Sequence, residues 1–79
     1  MRGAVDLSPR AELAMSEEQV SELWSRARVA GVLVTVVELR GGLFQAAIAG
    51  FGSRGVVTDP SPYVAGLRAI DAAAVTPAP

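Results

Sequence analysis

The stretch that decides the fold is Gly31-Val-Leu-Val-Thr-Val-Val-Glu-Leu-Arg-Gly-Gly-Leu-Phe-Gln-Ala-Ala-Ile-Ala-Gly-Phe51. Two runs rich in β-branched and other apolar residues flank Gly41-Gly42. A Gly-Gly pair accepts the positive φ angles of a two-residue turn, so the stretch reads as a β-hairpin. That turn sets Leu39 opposite Phe44, Glu38 opposite Gln45, Val37 opposite Ala46, Thr35 opposite Ile48 and Val34 opposite Ala49. Side chains alternate across a strand, so the pairs sort into two faces. Leu33, Thr35, Val37, Leu39, Phe44, Ala46 and Ile48 are almost all apolar and form the expected core face. The other face carries Val32, Val34, Val36, Ala47, Ala49 and Phe51 at its base, with Glu38, Arg40 and Gln45 near the turn. A sheet with one wet face alternates apolar and polar along its whole length; this one does so only at the tip.

Helices are expected on both sides of the hairpin. Ser16 is a good N-cap, and Gln19 completes a capping box. Glu17 and Glu18 suit the positive end of the helix dipole, Arg26 and Arg28 the negative end, and Gly31 a left-handed stop. Val20, Leu23, Trp24 and Ala27 repeat at helical spacing. After the hairpin, Gly52-Ser53-Arg54-Gly55 reads as a turn and Val56-Val57-Thr58 as a short third strand. Ser61-Pro62 then starts a second helix to about Ala73, with Tyr63, Leu67 and Ile70 as its stripe and Gly66 closing on the sheet. The expected fold is α+β, in the order α-β-β-β-α: a three-stranded antiparallel sheet with both helices packed on one face. Residues 15–75 form the domain, 1–14 a flexible N-terminal arm with a short turn capped by Ser8-Pro9, and 76–79 a disordered tail. Met15, just before the first helix, is a second candidate start.

Composition removes most chemistry. The chain has 79 residues, enough for one thin-cored domain, and contains neither cysteine nor histidine. That excludes a thiolate metal site and the commonest general base. Acidic residues are scattered, and Glu18 with Glu22 alone does not make a metal site. The chain is therefore expected to be no enzyme and to need no cofactor. Its seven basic residues, all arginine, are offset by eight acidic ones, which argues against a nucleic-acid partner. No apolar run is long enough to span a membrane, and the N-terminus does not read as a signal peptide, so a cytoplasmic setting in a bacterium or its phage is expected.

Three features admit two readings each. Gly52–Gly55 is either a phosphate nest or an ordinary turn, and the turn is favoured. Trp24 is either an interface anchor or part of the core stripe, and the core is favoured. Glu38 and Arg40, beside Gln45, are either an ion pair that orients a ligand or a solvated cross-strand cluster, and the cluster is favoured.

The order α-β-β-β-α resembles double-stranded-RNA-binding domains. Their lysine-rich helix start and histidine-bearing loop are replaced here by Asp59-Pro60-Ser61-Pro62 and Gly52-Ser53-Arg54-Gly55, so the resemblance implies topology alone. Residues 32–73 are similar in pattern to HicB-type antitoxins, three strands and then a helix, with Gly42-Leu43-Phe44 opening the second strand.

The expected function is that of a small non-catalytic regulator that binds a protein, or pairs with itself as a homodimer. Its interface is expected to be Val32, Val34, Val36, Ala47, Ala49 and Phe51, rimmed by Glu38, Arg40 and Gln45. A nucleic-acid-binding module using Arg26, Arg28, Arg40 and Arg54 is the second reading, and a structural virion or assembly component the third.

Overall fold

A computed structural model describes residues 3–50 and 53–75. The chain runs β1 (Ala4–Leu7), α1 (Pro9–Leu13), α2 (Glu17–Ala30), β2 (Leu33–Glu38), a single 3-10 turn (Arg40–Gly42), β3 (Phe44–Gly50), β4 (Ser53–Asp59) and α3 (Pro62–Val75). The class is α+β, and the sheet is four-stranded and mixed, in the order β1-β2-β3-β4. β1 lies parallel to β2, whereas β2, β3 and β4 are antiparallel neighbours.

The expected three-stranded antiparallel sheet is thus one strand short. Residues 4–13, expected in a flexible arm, supply an edge strand and a short helix. Val5 sits beside Val34 and Leu7 beside Val36, and the Ala4 and Ser8 N–H groups donate to the Val32 and Val36 carbonyls at 3.1 and 2.9 Å. The added strand also takes the chain out of the α-β-β-β-α order of RNA-binding domains. The expected tail, 76–79, lies outside the described residues.

Local signals fix the helices. The Ser16 hydroxyl accepts from the Gln19 N–H at 3.2 Å, and the Gln19 side chain accepts from the Ser16 N–H at 3.0 Å, a complete capping box. Gly31 ends α2 at φ 70° and ψ 33°, the left-handed conformation glycine adopts without strain. α1 starts as expected, with the Ser8 hydroxyl accepting from the Ala11 N–H at 3.3 Å and Pro9 opening the helix. At α3, Asp59 Oδ1 accepts from the Ser61 N–H at 2.9 Å, and the Ser61 hydroxyl accepts from the Val64 N–H at 3.3 Å. The carboxylate therefore folds the Asp-Pro-Ser-Pro segment into a cap.

The hairpin departs from its expected register. Arg40–Gly42 is a three-residue turn closed by the Leu39 N–H donating to the Leu43 carbonyl at 2.7 Å, with Gly41 at φ 77° and Gly42 at φ 75°. Val34 then pairs with Ile48, Val36 with Ala46 and Glu38 with Phe44. This is one residue from the two-residue register, and a slip of one turns every side chain of a strand to the other face. β3 keeps its expected inner face of Phe44, Ala46 and Ile48, whereas β2 is inverted. Val32, Val34 and Val36 are buried, and Leu33 and Val37 face out. Thr35, expected inside, moves to the outer face with them.

The core forms under the helices. α3 crosses β2, β3 and β4, while α2 covers β1 and lies along α3. Leu23 and Ala27 of α2 and Ala65, Ala69 and Ile70 of α3 pack on Val5, Val34, Val36, Phe44, Ala46 and Ile48, with Met15 closing one end. Trp24 is half-buried against this cluster, as its spacing predicts, and carries the Arg28 guanidinium 5.6 Å from its ring centre. Small residues let the helices meet. A Cβ on Gly66 would stand 2.9 Å from Cδ2 of fully buried Leu23, so Gly66 serves the α2–α3 contact, not the expected helix–sheet contact. A Cβ on Gly3 would collide with the Ala27 carbonyl.

Two predictions test this packing. Ile48→Ala should cost about 2–5 kcal/mol in urea unfolding, as other buried aliphatic truncations do. Val34→Glu should remove the native fold by circular dichroism, because it places an unpaired charge in the core; a folded Val34→Glu monomer would restore the two-residue register. Separately, Gly66→Ala gains about 0.5–1 kcal/mol of helix propensity but overpacks against Leu23 at about 1–3 kcal/mol. The expected net change is a loss of stability, and a gain would show that α3 can lift away from α2.

Candidate functional site

The helices leave one sheet face uncovered. The register arranges that face in cross-strand rows. Asp6, Thr35, Ala47 and Val56 make one row, Val37, Gln45 and Thr58 the next, and Ala4, Leu33 and Ala49 a third. Leu39 and Leu43 are extended on either side of the turn and continue the outward alternation past Val37 and Gln45. An apolar track runs from the turn, through Val37 and Ala47, to Leu33 and Val56. Exposures along it are 61% for Val56, 38% for Leu33, 37% for Leu39 and Leu43, and 36% for Val37. Asp6, Thr35, Gln45 and Thr58 supply polar groups among these residues.

The expected interface residues separate. Ala47 and Ala49 lie on the open face. Val32, Val34 and Val36 are core, because the turn holds three residues and not two. Phe51 lies outside the described residues. The polar cluster at the tip is divided as well. Gln45 pairs with Val37 on the open face, Arg40 sits exposed in the turn, and Glu38 turns to the helix side, 3.9 Å from Arg10. Leu33, Val37 and Leu39, expected in the core, and Leu43 and Val56 are the apolar residues of the face and its turn that sequence reading missed. For β2 the signal was present: Val32, Val34 and Val36 make a wholly apolar alternate set, whereas Leu33, Val37 and Thr35 include a hydroxyl that burial would leave in need of a partner.

Asp6 apart, the ion pairs lie away from this face. Arg26 donates to Glu22 at 2.6 Å and lies 4.0 Å from Asp71; Arg68 lies 3.8 Å from Asp59. The hydrogen bond to Glu22, then the Glu22 charge, raises the Arg26 guanidinium above its ordinary value. These pairs are exposed, so solvent screening leaves each of them a minor contribution to stability. Of the expected turn Gly52–Gly55, Ser53, Arg54 and Gly55 belong to β4, and Gly52 lies outside the described residues. Glu17, Glu18, Ser21, Glu22 and Ser25 line a shallow groove on α2 alone, which is a solvated helix face. Among the described residues no group of three or more His, Cys, Asp or Glu side chains could hold a metal ion, and no helix is long and apolar enough to cross a membrane.

No family model matches the chain, and no curated protein or solved structure does.

The arginines of the nucleic-acid reading do not gather. Arg26 is paired within the helix layer, Arg28 stacks on Trp24, and Arg40 stands in the hairpin turn. With eight acidic groups against seven arginines, the counterion-release contribution is small. Titration with duplex DNA or RNA at physiological salt should show no binding tighter than about micromolar; a nanomolar isotherm with a steep salt slope would promote the nucleic-acid reading.

Proposed function

We propose that this is a small non-catalytic interaction protein, a regulator of bacterial or phage type working in the cytoplasm, which binds a protein through the open face of its sheet. One observation carries the reading. Of the seven large apolar side chains exposed among the described residues, five (Leu33, Val37, Leu39, Leu43 and Val56) share the open face and its turn; only Leu13 and Val29 stand apart. Scattered exposed apolar residues are ordinary, but a contiguous patch marks a contact surface. Burying it would gain roughly 25 cal/mol for each Å² of apolar area removed from water. Ala47 and Ala49 keep the middle of the face low, so the fitting partner is a protein surface with apolar side chains of its own. Thr35, Gln45 and Thr58 can hydrogen-bond at the contact, as interface polar groups commonly do.

The test compares three forms as bait in a GC-rich bacterial lysate: wild type, Val37→Glu and Val29→Glu. Val37 lies on the face and Val29 on the outer surface of α2, and both are exposed enough to take a charge without unfolding. Prey retained by wild type and Val29→Glu should be lost from Val37→Glu. If Val37→Glu keeps its prey, the open face is not the binding surface.

A further inference from the structure

We propose that two copies of this chain join edge to edge through β4, forming one continuous sheet with a two-fold axis at Val56. The two edges of the sheet are unlike. β1 is a short edge of four residues; it carries Asp6 and runs straight into Ser8-Pro9. Brevity, charge and proline are the devices by which proteins blunt a sheet edge. β4 has seven residues and pairs with β3 along its whole length without a bulge. Arg54 and Asp59 stand near its ends and Pro60 follows it, but its four inner residues, Gly55-Val56-Val57-Thr58, include no charge and no proline. Among the described residues no strand pairs with its outer side. A row of backbone donors and acceptors is therefore left as a template for another strand.

The template fits its own copy. In an antiparallel pair, directly opposed residues lie on the same face, so a two-fold axis must fall on a residue. An axis at Val56 uses all seven residues: Ser53 meets Asp59, Arg54 meets Thr58, Gly55 meets Val57, and Val56 meets its own copy. No like charges are opposed, and the β-branched pair at the centre is a favourable cross-strand contact. Moving the axis to Val57 sets Arg54 against Pro60, which has no N–H to give. Moving it to Gly55 takes Thr58 and Asp59 off the strand. The Val56 axis also keeps α3 of both copies on one side and joins the two open faces into one. The inference shares Val56 with the open-face reading but rests on the backbone edge of β4, and Val37 lies two strands in from that edge.

Sedimentation of the full chain at about 0.1 mM, suited to the weak association of a small interface, should show a dimer. The chain has no cysteine, so single-cysteine variants report without background. Val56→Cys brings the two thiols together at the axis, with Cα atoms about 4.5–5.5 Å apart, inside the disulfide range. Thr58→Cys leaves its copies roughly 13 Å apart along the strands. Oxidation should convert most of Val56→Cys, and little of Thr58→Cys, into a covalent dimer on a non-reducing gel. Val37→Glu should sediment as a dimer. A monomeric wild type, or equal cross-linking of the two cysteine variants, overturns the edge pairing and leaves the open-face reading standing. A Val37→Glu monomer that is still folded also overturns it, since the contact would then use the face.

Discussion

The turn between β2 and β3 constrains everything else in this structure. Its three residues, Arg40-Gly41-Gly42, need two consecutive positive φ angles, which two glycines supply without strain. The turn length sets the hairpin register, and the register chooses which half of β2 is buried. With Val34 beside Ile48 and Val36 beside Ala46, these two valines of β2 enter the core with Val32 just before them, and Thr35 stays on the open face. β1 buries its own apolar residues on the same side, with Val5 beside Val34 and Leu7 beside Val36.

The core built on that register is thin, and it is made with small side chains. Ala11, Ala27, Ala46, Ala65 and Ala69 are essentially inaccessible, and Leu23, Val34 and Val36 are the largest fully buried side chains. Alanine loses no rotamer freedom on burial, so each such contact escapes a conformational cost that a longer side chain would bring. The compensation is proximity. Gly66 lets α3 close on Leu23, and Gly3 lets the chain entering β1 run against the end of α2. Dispersion between atoms at contact distance falls off steeply with a gap, so close approach here replaces bulk.

What was legible in the sequence was what depends on neighbours in the sequence. The capping box Ser16/Gln19, the Gly31 stop, the Ser8-Pro9 and Ser61-Pro62 starts and the helical stripe of α2 all stand where local chemistry places them. β3 was read with its correct inner face for the same reason. β1 was not legible. A four-residue strand carries almost no periodic signal, and its partner is nearly thirty residues away across two helices, so nothing local announces the pairing. The inverted face of β2 has a narrower cause. Gly41-Gly42 suits a two-residue turn, and the third residue, Arg40, has no composition that marks it as part of one. That single residue moved Val32, Val34 and Val36 from the expected interface into the core, yet an apolar outer face survived, because Leu33 and Val37 replaced them.

That both alternating sets of β2 are largely apolar is the physical point that bears on function. A strand with one wet face needs only one apolar set, and β2 has two. The helices use one; the other is left over with Ala47, Ala49 and Val56 on its neighbours. Nothing in folding a single copy requires Leu33 or Val37 to be apolar, since polar residues there would shield the sheet as well and raise solubility. The proposed contacts give this surplus a role. Val56 is where the two candidate contacts meet, because it is the most exposed of these side chains and lies on both the open face and the free edge of β4. If copies join at that edge, the two open faces become neighbours in one sheet. A partner recognised by one face would then meet an apolar surface of twice the width, with Leu33 and Val37 of each copy repeated symmetrically about Val56.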